Sequence, residues 1–398
     1  MISVSEATQL ILSTVRVYPA EQVSLGQAKG RVLREKILAD RDFPPYDRVT
    51  MDGIAIKHAA WAAGQRIFNL QGRQTAGQAA MALQSPEFAL EIMTGAVLSK
   101  GTDSVIRYED LDIKDGQASI LASDIRLGQN VHAQGSDQRI GTTLVDPGKK
   151  ISAPEIAVAA TVGMSQLLVS RRPRIAVLST GDELVPVTEM PLPHQIRQSN
   201  AHMLSAILSS FAEKINPQHL PDDLPGLTDA VKTILDNHDV LVVSGGVSKG
   251  KADFIPEALA DAGVKKLFHR VAQRPGKPFW FGKGPAGQPV FALPGNPVSS
   301  FVGAVRYVIP WLRASSGEQI GPGQWATLGA DFTFSPPLTY FLQVRLEDDT
   351  QGKREALPVV GNGSGDFANL LNAQALLELP SDREVFQKGE SYRLWPFS

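Results

Sequence analysis

Three apolar runs limit what this chain can fold into: Arg174-Ile175-Ala176-Val177-Leu178, Val240-Leu241-Val242-Val243 and Pro289-Val290-Phe291-Ala292-Leu293. Each is continuous rather than alternating, the pattern of a strand covered on both faces of a parallel sheet. Helical stretches separate them: Asn200 to about Glu213, Thr228 to Asn237, and a run from Asp253 as cap to Ala262. Another helix starts at Pro297 with Asn296 as its cap. Strands alternating with helices predict a three-layer α/β domain over 171–322, opened by the break at Arg171-Arg172-Pro173.

Each apolar run leads into a polar loop with glycine: Ser179-Thr180-Gly181-Asp182-Glu183, Ser244-Gly245-Gly246-Val247-Ser248, and Pro294-Gly295-Asn296-Pro297-Val298-Ser299. In a parallel sheet these loops share one edge, where ligands bind. Glycines let backbone N–H groups approach an anion, and the helix at Pro297 turns its positive end the same way. Any one loop alone is an ordinary strand-to-helix turn; three together point to a phosphate-bearing ligand. None matches a Walker loop or the dinucleotide fingerprint. Asp182, Glu183 and Asp253 gather at these loops and suit Mg²⁺ shared with substrate phosphates, although capping alone would account for Asp253. Arg274-Pro275-Gly276-Lys277-Pro278, with Lys283, forms a basic cluster that reads as an anion clamp, Lys277 being held in a stiff turn.

The rest of the 398 residues divides by texture. Ser3 and Glu6 have capping-box spacing before an apolar face, and Ser152-Ala153-Pro154-Glu155 opens a second helix, so 1–41 and 139–170 are expected to form a helical linker part. Asp42-Phe43-Pro44-Pro45-Tyr46-Asp47 cannot be helical. Short strands punctuated by glycine follow to Gln138, an inserted β-rich module over 42–138. The tail, 323–398, returns to strands and reads as a small β-barrel domain. The fold class is therefore α/β multidomain.

Composition excludes several functions. The chain has no cysteine, which removes disulfides, thiolate metal sites and cysteine nucleophiles. With 39 Lys+Arg against 41 Asp+Glu there is no basic excess for a general nucleic-acid binder. No stretch reaches the ~18 apolar residues of a membrane span, and Glu6 falls where a signal peptide would be apolar. A cytoplasmic location is expected. The seven histidines show no zinc-like spacing, and nothing resembles a nucleophile elbow.

Pro44-Pro45-Tyr46-Asp47, Met51-Asp52-Gly53, Ile92-Met93-Thr94-Gly95-Ala96, Thr180-Gly181-Asp182-Glu183-Leu184, Ser199-Asn200, Ser244-Gly245-Gly246-Val247-Ser248, Pro275-Gly276-Lys277-Pro278 and Leu293-Pro294-Gly295-Asn296-Pro297-Val298-Ser299 occur in one order. In this the chain resembles the molybdopterin molybdenumtransferases, the family of bacterial MoeA and the gephyrin E domain. The resemblance implies insertion of molybdate into adenylyl-molybdopterin with release of AMP, assisted by Mg²⁺. It also implies a homodimer whose site lies between the α/β domain of one subunit and the β-rich module of the other.

On that resemblance Asp52, Thr94, Glu183, Asp253 and Lys277 are the catalytic candidates, with Asp137 completing the site from the partner. Gly181, Ser244, Gly245, Gly246, Ser248, Arg274, Pro294, Gly295, Asn296, Pro297 and Ser299 would bind substrate; Asp182, Glu183 and Asp253 would hold Mg²⁺. The pterin brings its own sulfurs for the metal, so a chain without cysteine suffices. The molybdopterin adenylyltransferase and molybdoenzyme acceptors are the implied protein partners. The chain departs from the family pattern at Arg274, Lys249 and Gln343; Arg345 lies on the strand face of Gln343, and the surroundings of Ser364 differ. These departures motivate an alternative, a non-catalytic paralogue acting as a scaffold; an enzyme on another pterin or nucleotide would use the same loops.

Overall fold

The computed structural model describes residues 1–247, 253–348, 352–361 and 363–397. One sheet of six strands organises the α/β domain. Its order is Lys214–Leu220, Arg174–Thr180, Val240–Ser244, Pro289–Leu293, Trp280–Lys283, Lys265–His269. The first four strands are parallel, and Trp280–Lys283 runs antiparallel to both of its neighbours. The three apolar runs are central neighbours, and alternate residues supply two separate cores. Ile175, Val177, Val242 and Phe291 pack with Leu204, Leu208 and Val302. Ala176, Leu178, Leu241 and Val243 pack with Val231, Ile234 and Leu259. Each such fully buried Val, Leu or Ile contributes about 1.5–3 kcal/mol.

Three details differ from the sequence reading. The helix from Asn200 ends at Leu208, and the chain then turns into the edge strand Lys214–Leu220. That strand carries Pro217, which an edge tolerates. The helix after the second glycine loop is Ile255–Asp261 with Phe254 at its N-cap, so Asp253 lies one residue before the cap position. Asn296 does stand at the N-cap of Pro297–Gly303, although its side chain makes no capping bond.

Both capping boxes form. Glu6 accepts from the Ser3 backbone at 2.7 Å, and Glu155 from that of Ser152 at 2.8 Å. The helix Val4–Leu12 nevertheless packs on the α/β core, through Val4, Ala7 and Ile11 beside Val305 and Trp311. The linker part is not purely helical: Ala20–Ser24 pairs antiparallel with Gln166–Ser170, and Ile37–Leu38 with Thr143–Val145. Between these segments the chain leaves to build a mixed six-stranded sheet, in which Gly53–Ile56 lies between Ser104–Arg107 and Phe88–Ile92. A side chain at Gly53 would put its Cβ 1.8 Å from the Ile106 carbonyl oxygen.

The tail closes a five-stranded barrel of Thr339–Asp348, Arg354–Pro358, Gln324–Leu328, Ser391–Pro396 and Ala375–Leu379, the last pairing back on the first. Gln273–Arg274, from the α/β domain, adds to it alongside Thr339–Tyr340. A second tie is the buried Arg306, whose guanidinium donates to Glu378 at 3.0 Å while Trp395 donates to the same carboxylate at 2.7 Å. These ties fix the barrel against the edge where the glycine loops lie.

Candidate active site

Ser179 pairs with Ser244, and Ser244 with Leu293, so the three central strands end level. Their loops wall a cleft of about 480 Å³. Gly181, Glu183, Ser244, Gly245, Gly246, Asp253, Pro294, Gly295, Asn296 and Pro297 all line it. Ser248 lies outside the described residues, as do Lys249 and the rest of 248–252. Gly245 adopts φ +105°, and a Cβ there would sit 2.7 Å from the Thr180 carbonyl oxygen, so only glycine lets the second loop lie this close to the first.

Asn200 fastens the other two loops. Its Nδ2 donates to Ser244 Oγ at 2.8 Å and to the Gly295 carbonyl at 2.6 Å. The motif Ser199-Asn200 was visible in the sequence, but its structural part was not.

The acidic side differs from the sequence reading in one member. Asp182 does not line the cleft; its Oδ1 accepts from the Asp222 backbone at 3.1 Å. Asp222 takes the place in the cleft wall beside Glu183 and Asp253. Burial first, then the charges of Asp182, Glu183 and Asp253, holds the Asp222 carboxyl above the usual carboxylate range. Sequence reasoning missed Asp222 because it missed the edge strand that ends at Leu220; the Pro221-Asp222-Asp223 turn was the available signal. Among the described residues no three acidic or imidazole side chains are grouped to hold a metal by themselves.

A second cleft, of about 550 Å³, opens between the α/β domain and the barrel. Arg274, Lys277, Ser299 and Ser364 line it, and it shares Pro278, Pro294 and Asn296 with the first cleft. Gln273 shapes its cationic turn: the amide donates to the Pro275 carbonyl at 3.1 Å, and its oxygen accepts from the buried Tyr307 hydroxyl. Ser364, from the barrel, accepts from Asn296 Nδ2 at 2.8 Å, and its carbonyl accepts from the Val298 backbone at 3.2 Å. Lys283 does not join this cluster. It pairs with Pro289, at the other end of the strand from Leu293. Arg345 is also elsewhere, ion-paired to Glu347 at 2.6 Å, so Gln343 faces the cleft without it.

Asp52 and Thr94 meet in the inserted module. The Thr94 backbone and hydroxyl donate to Asp52 Oδ1 at 2.7 and 2.8 Å. Those bonds, the backbone one first, hold the Asp52 carboxyl below its usual range. Asp137 lies 2.9 Å from His132 Nε2. None of Asp52, Thr94 and Asp137 lines either cleft of its own chain.

Comparison with known proteins returns a single family across the chain. Residues 2–163 match the MoeA N-terminal region (domain I and II), 176–314 the probable molybdopterin binding domain, and 326–397 the MoeA C-terminal region (domain IV). A Synechocystis sp. protein named molybdopterin molybdenumtransferase is 38% identical over 98% of this chain and 99% of its own. One of the same name from Staphylococcus aureus is 30% identical over 98% and 94%. Among solved structures, the Pyrococcus horikoshii molybdopterin biosynthesis moeA protein superposes with a TM-score of 0.83 at 29% identity, covering 100% of this chain and 99% of that one.

Proposed function

The chain belongs to the MoeA family of molybdopterin molybdenumtransferases, and on that premise we propose that its two joined clefts bring adenylyl-molybdopterin and molybdate together. It is a transferase of molybdenum cofactor biosynthesis. The observation that carries the proposal is the shared wall of Pro278, Pro294 and Asn296. It divides an acidic, glycine-lined cleft, which would take phosphates through a bound cation, from a cationic one that takes an anion directly, so two anions can lie adjacent in space.

In this reading the first cleft takes the diphosphate end of the adenylylated pterin. Gly181, Gly245 and Gly246 leave this wall without side chains, so the phosphates can approach the backbone closely. Molybdate enters the second cleft, where Lys277 and Arg274 offset its double charge and Ser299 and Ser364 offer hydroxyls. Water cleaves the phosphorus–oxygen bond to the adenylate: its oxygen goes to one phosphate and its protons are released, so AMP and the free pterin phosphate result. Both dithiol sulfurs of the pterin then bind the molybdenum, and their two protons leave with one molybdate oxygen as water.

Mg²⁺ fits the chemistry of this donor set, because Glu183, Asp222 and Asp253 crowd like charges that a cation would offset. Those three residues would hold it, and it would neutralise phosphate charge. Since no protein-only metal group is present among the described residues, phosphate oxygens would complete its shell.

Asp52 and Thr94, with Asp137, reach a site only if a second copy supplies its module, so the working unit is a homodimer. The molybdopterin adenylyltransferase upstream and molybdoenzymes downstream are the fitting protein partners.

The test supplies the purified protein with adenylyl-molybdopterin, Mg²⁺ and molybdate and follows AMP and cofactor. Release of AMP, and cofactor that forms only when molybdate is present, are expected; no turnover above the enzyme-free background would overturn the reading. Asp253→Ala should abolish turnover while leaving the melting transition in place.

A further inference from the structure

Away from both clefts, the junction of the linker and the α/β domain gathers basic side chains around a small open depression of about 30 Å³. Arg31 and Lys150 come from the linker, Arg172 from the segment joining the two parts, and Phe211 from the α/β domain. We propose that this depression is a binding site for a small tetrahedral dianion of the phosphate type, held by Arg31, Lys150 and Arg172.

The acids nearby are already committed. Arg171 takes Asp239, at 3.0 and 3.1 Å, and Arg313 takes Glu318, at 2.9 and 2.7 Å. Glu21 reaches Arg31, which also donates to the Ser170 carbonyl at 2.8 Å. Even so, the Arg31 side chain is only 10% exposed and its Nε is buried without a partner among the described residues. Arg172 lies against the backbone next to Arg31: a Cβ on Gly30 would be 3.8 Å from its Nη2. No carboxylate meets its guanidinium within ion-pair distance among the described residues. Burial first, and the charge of Arg31 next, disfavours its protonated form. The Lys150 ammonium lies 5.9 Å from the centre of the Phe211 ring.

Arg31 and Arg172 lie half-buried beside each other with Glu21 as the one carboxylate paired to them among the described residues, and two such cations sharing one counter-charge raise the energy of the fold. One dianion offsets this excess of positive charge. The space is roughly that of two water molecules, so it seats two oxygens of a phosphate while the other two stay at the open side, and it is too little for a nucleotide body. Because Arg31 and Lys150 come from the linker and Arg172 from the segment that leads into the α/β domain, the bound ion would tie that segment to the linker. This inference stands on different residues from the proposed reaction and does not depend on it.

The experiment melts the full-length protein in rising inorganic phosphate at ionic strength matched with sodium chloride. AMP in parallel tells a free ion from a phosphate carried by a nucleotide. Wild type should be protected, and so should Lys277→Gln, whose change lies in the cationic cleft. Arg172→Gln and Lys150→Gln should need at least about tenfold more phosphate, the loss expected for one charge-assisted contact. Without phosphate, Arg172→Gln should melt at or above wild type, because a repelling charge has gone. That crossover separates an anion site from a purely structural arginine. Equal phosphate response in wild type and both variants, or no response in wild type beyond chloride, would overturn the site.

Discussion

Asp222 is raised for reasons that are local: it is half-buried and faces Asp182, Glu183 and Asp253. A carboxyl whose folded pKa exceeds its unfolded one binds more protons in the native state, so stability falls as pH rises above the ordinary aspartate range. Asp222→Asn removes that loss. Melting temperature followed from pH 4 to 7 should fall more steeply for wild type than for the variant, leaving the variant the more stable near neutrality. Added Mg²⁺ should raise the wild-type transition and leave the variant's nearly unchanged. Turnover should drop, because one of the three carboxylates that would hold Mg²⁺ is lost. A variant as active as wild type would remove Asp222 from the reaction. Gly245 tests the other wall. Gly245→Ala forces a Cβ against the Thr180 carbonyl at a φ that side chains rarely adopt, and should cost about 1–3 kcal/mol in denaturant unfolding. At this scale the sequence was readable where a residue type has few uses, as with the paired glycines and Lys277. It was unreadable at Asp222 and Asn200, common polar residues whose roles depend on which strand ends beside them, and misleading at Lys283 and Asp182.

At the scale of elements, the parallel strands were legible because burial on both faces forces uninterrupted apolar runs, and the capping boxes because two side chains must stand three residues apart. The edge strand Lys214–Leu220 and the antiparallel pair Lys265–His269 and Trp280–Lys283 were not. An edge strand buries little and needs no apolar run, and the antiparallel pair mixes Lys and His with its aromatics. The contacts that set the second cleft were equally hidden, since they join residues remote in sequence. Arg306 and Glu378 show what those contacts contribute. The Arg306 side chain is 4% exposed, so Glu378→Ala would strand a buried charge and leave the Trp395 N–H unpaired. A loss of about 3–5 kcal/mol is expected by denaturant unfolding. Replacing both partners, Arg306→Met with Glu378→Leu, should cost less than the single change. If the single change proves the milder, the ion pair is not what seats the barrel. The Km for molybdate should rise with the single change, because Lys277 from the α/β domain and Ser364 from the tail line one cleft at that seam.

For the whole molecule the open matter is which chain completes the site. Asp52 and Thr94 are held in register by two hydrogen bonds, yet neither reaches a cleft of the same chain. A symmetric dimer with a shared site makes a quantitative prediction. Asp52→Asn leaves the clefts intact, and Lys277→Gln leaves the module intact. Each homodimer should be inactive, since every site in it contains the lesion. Coexpressed in equal amounts, half of the dimers are mixed, and each mixed dimer carries one site with both lesions and one with neither. Turnover should therefore recover to about a quarter of wild type, with light scattering reporting twice the 42.9 kDa chain mass. A site built within one chain would give no recovery at any mixing ratio, and a dispensable Asp52 would leave Asp52→Asn active by itself. The three outcomes differ in amplitude, so one activity measurement with its two parent controls decides among them.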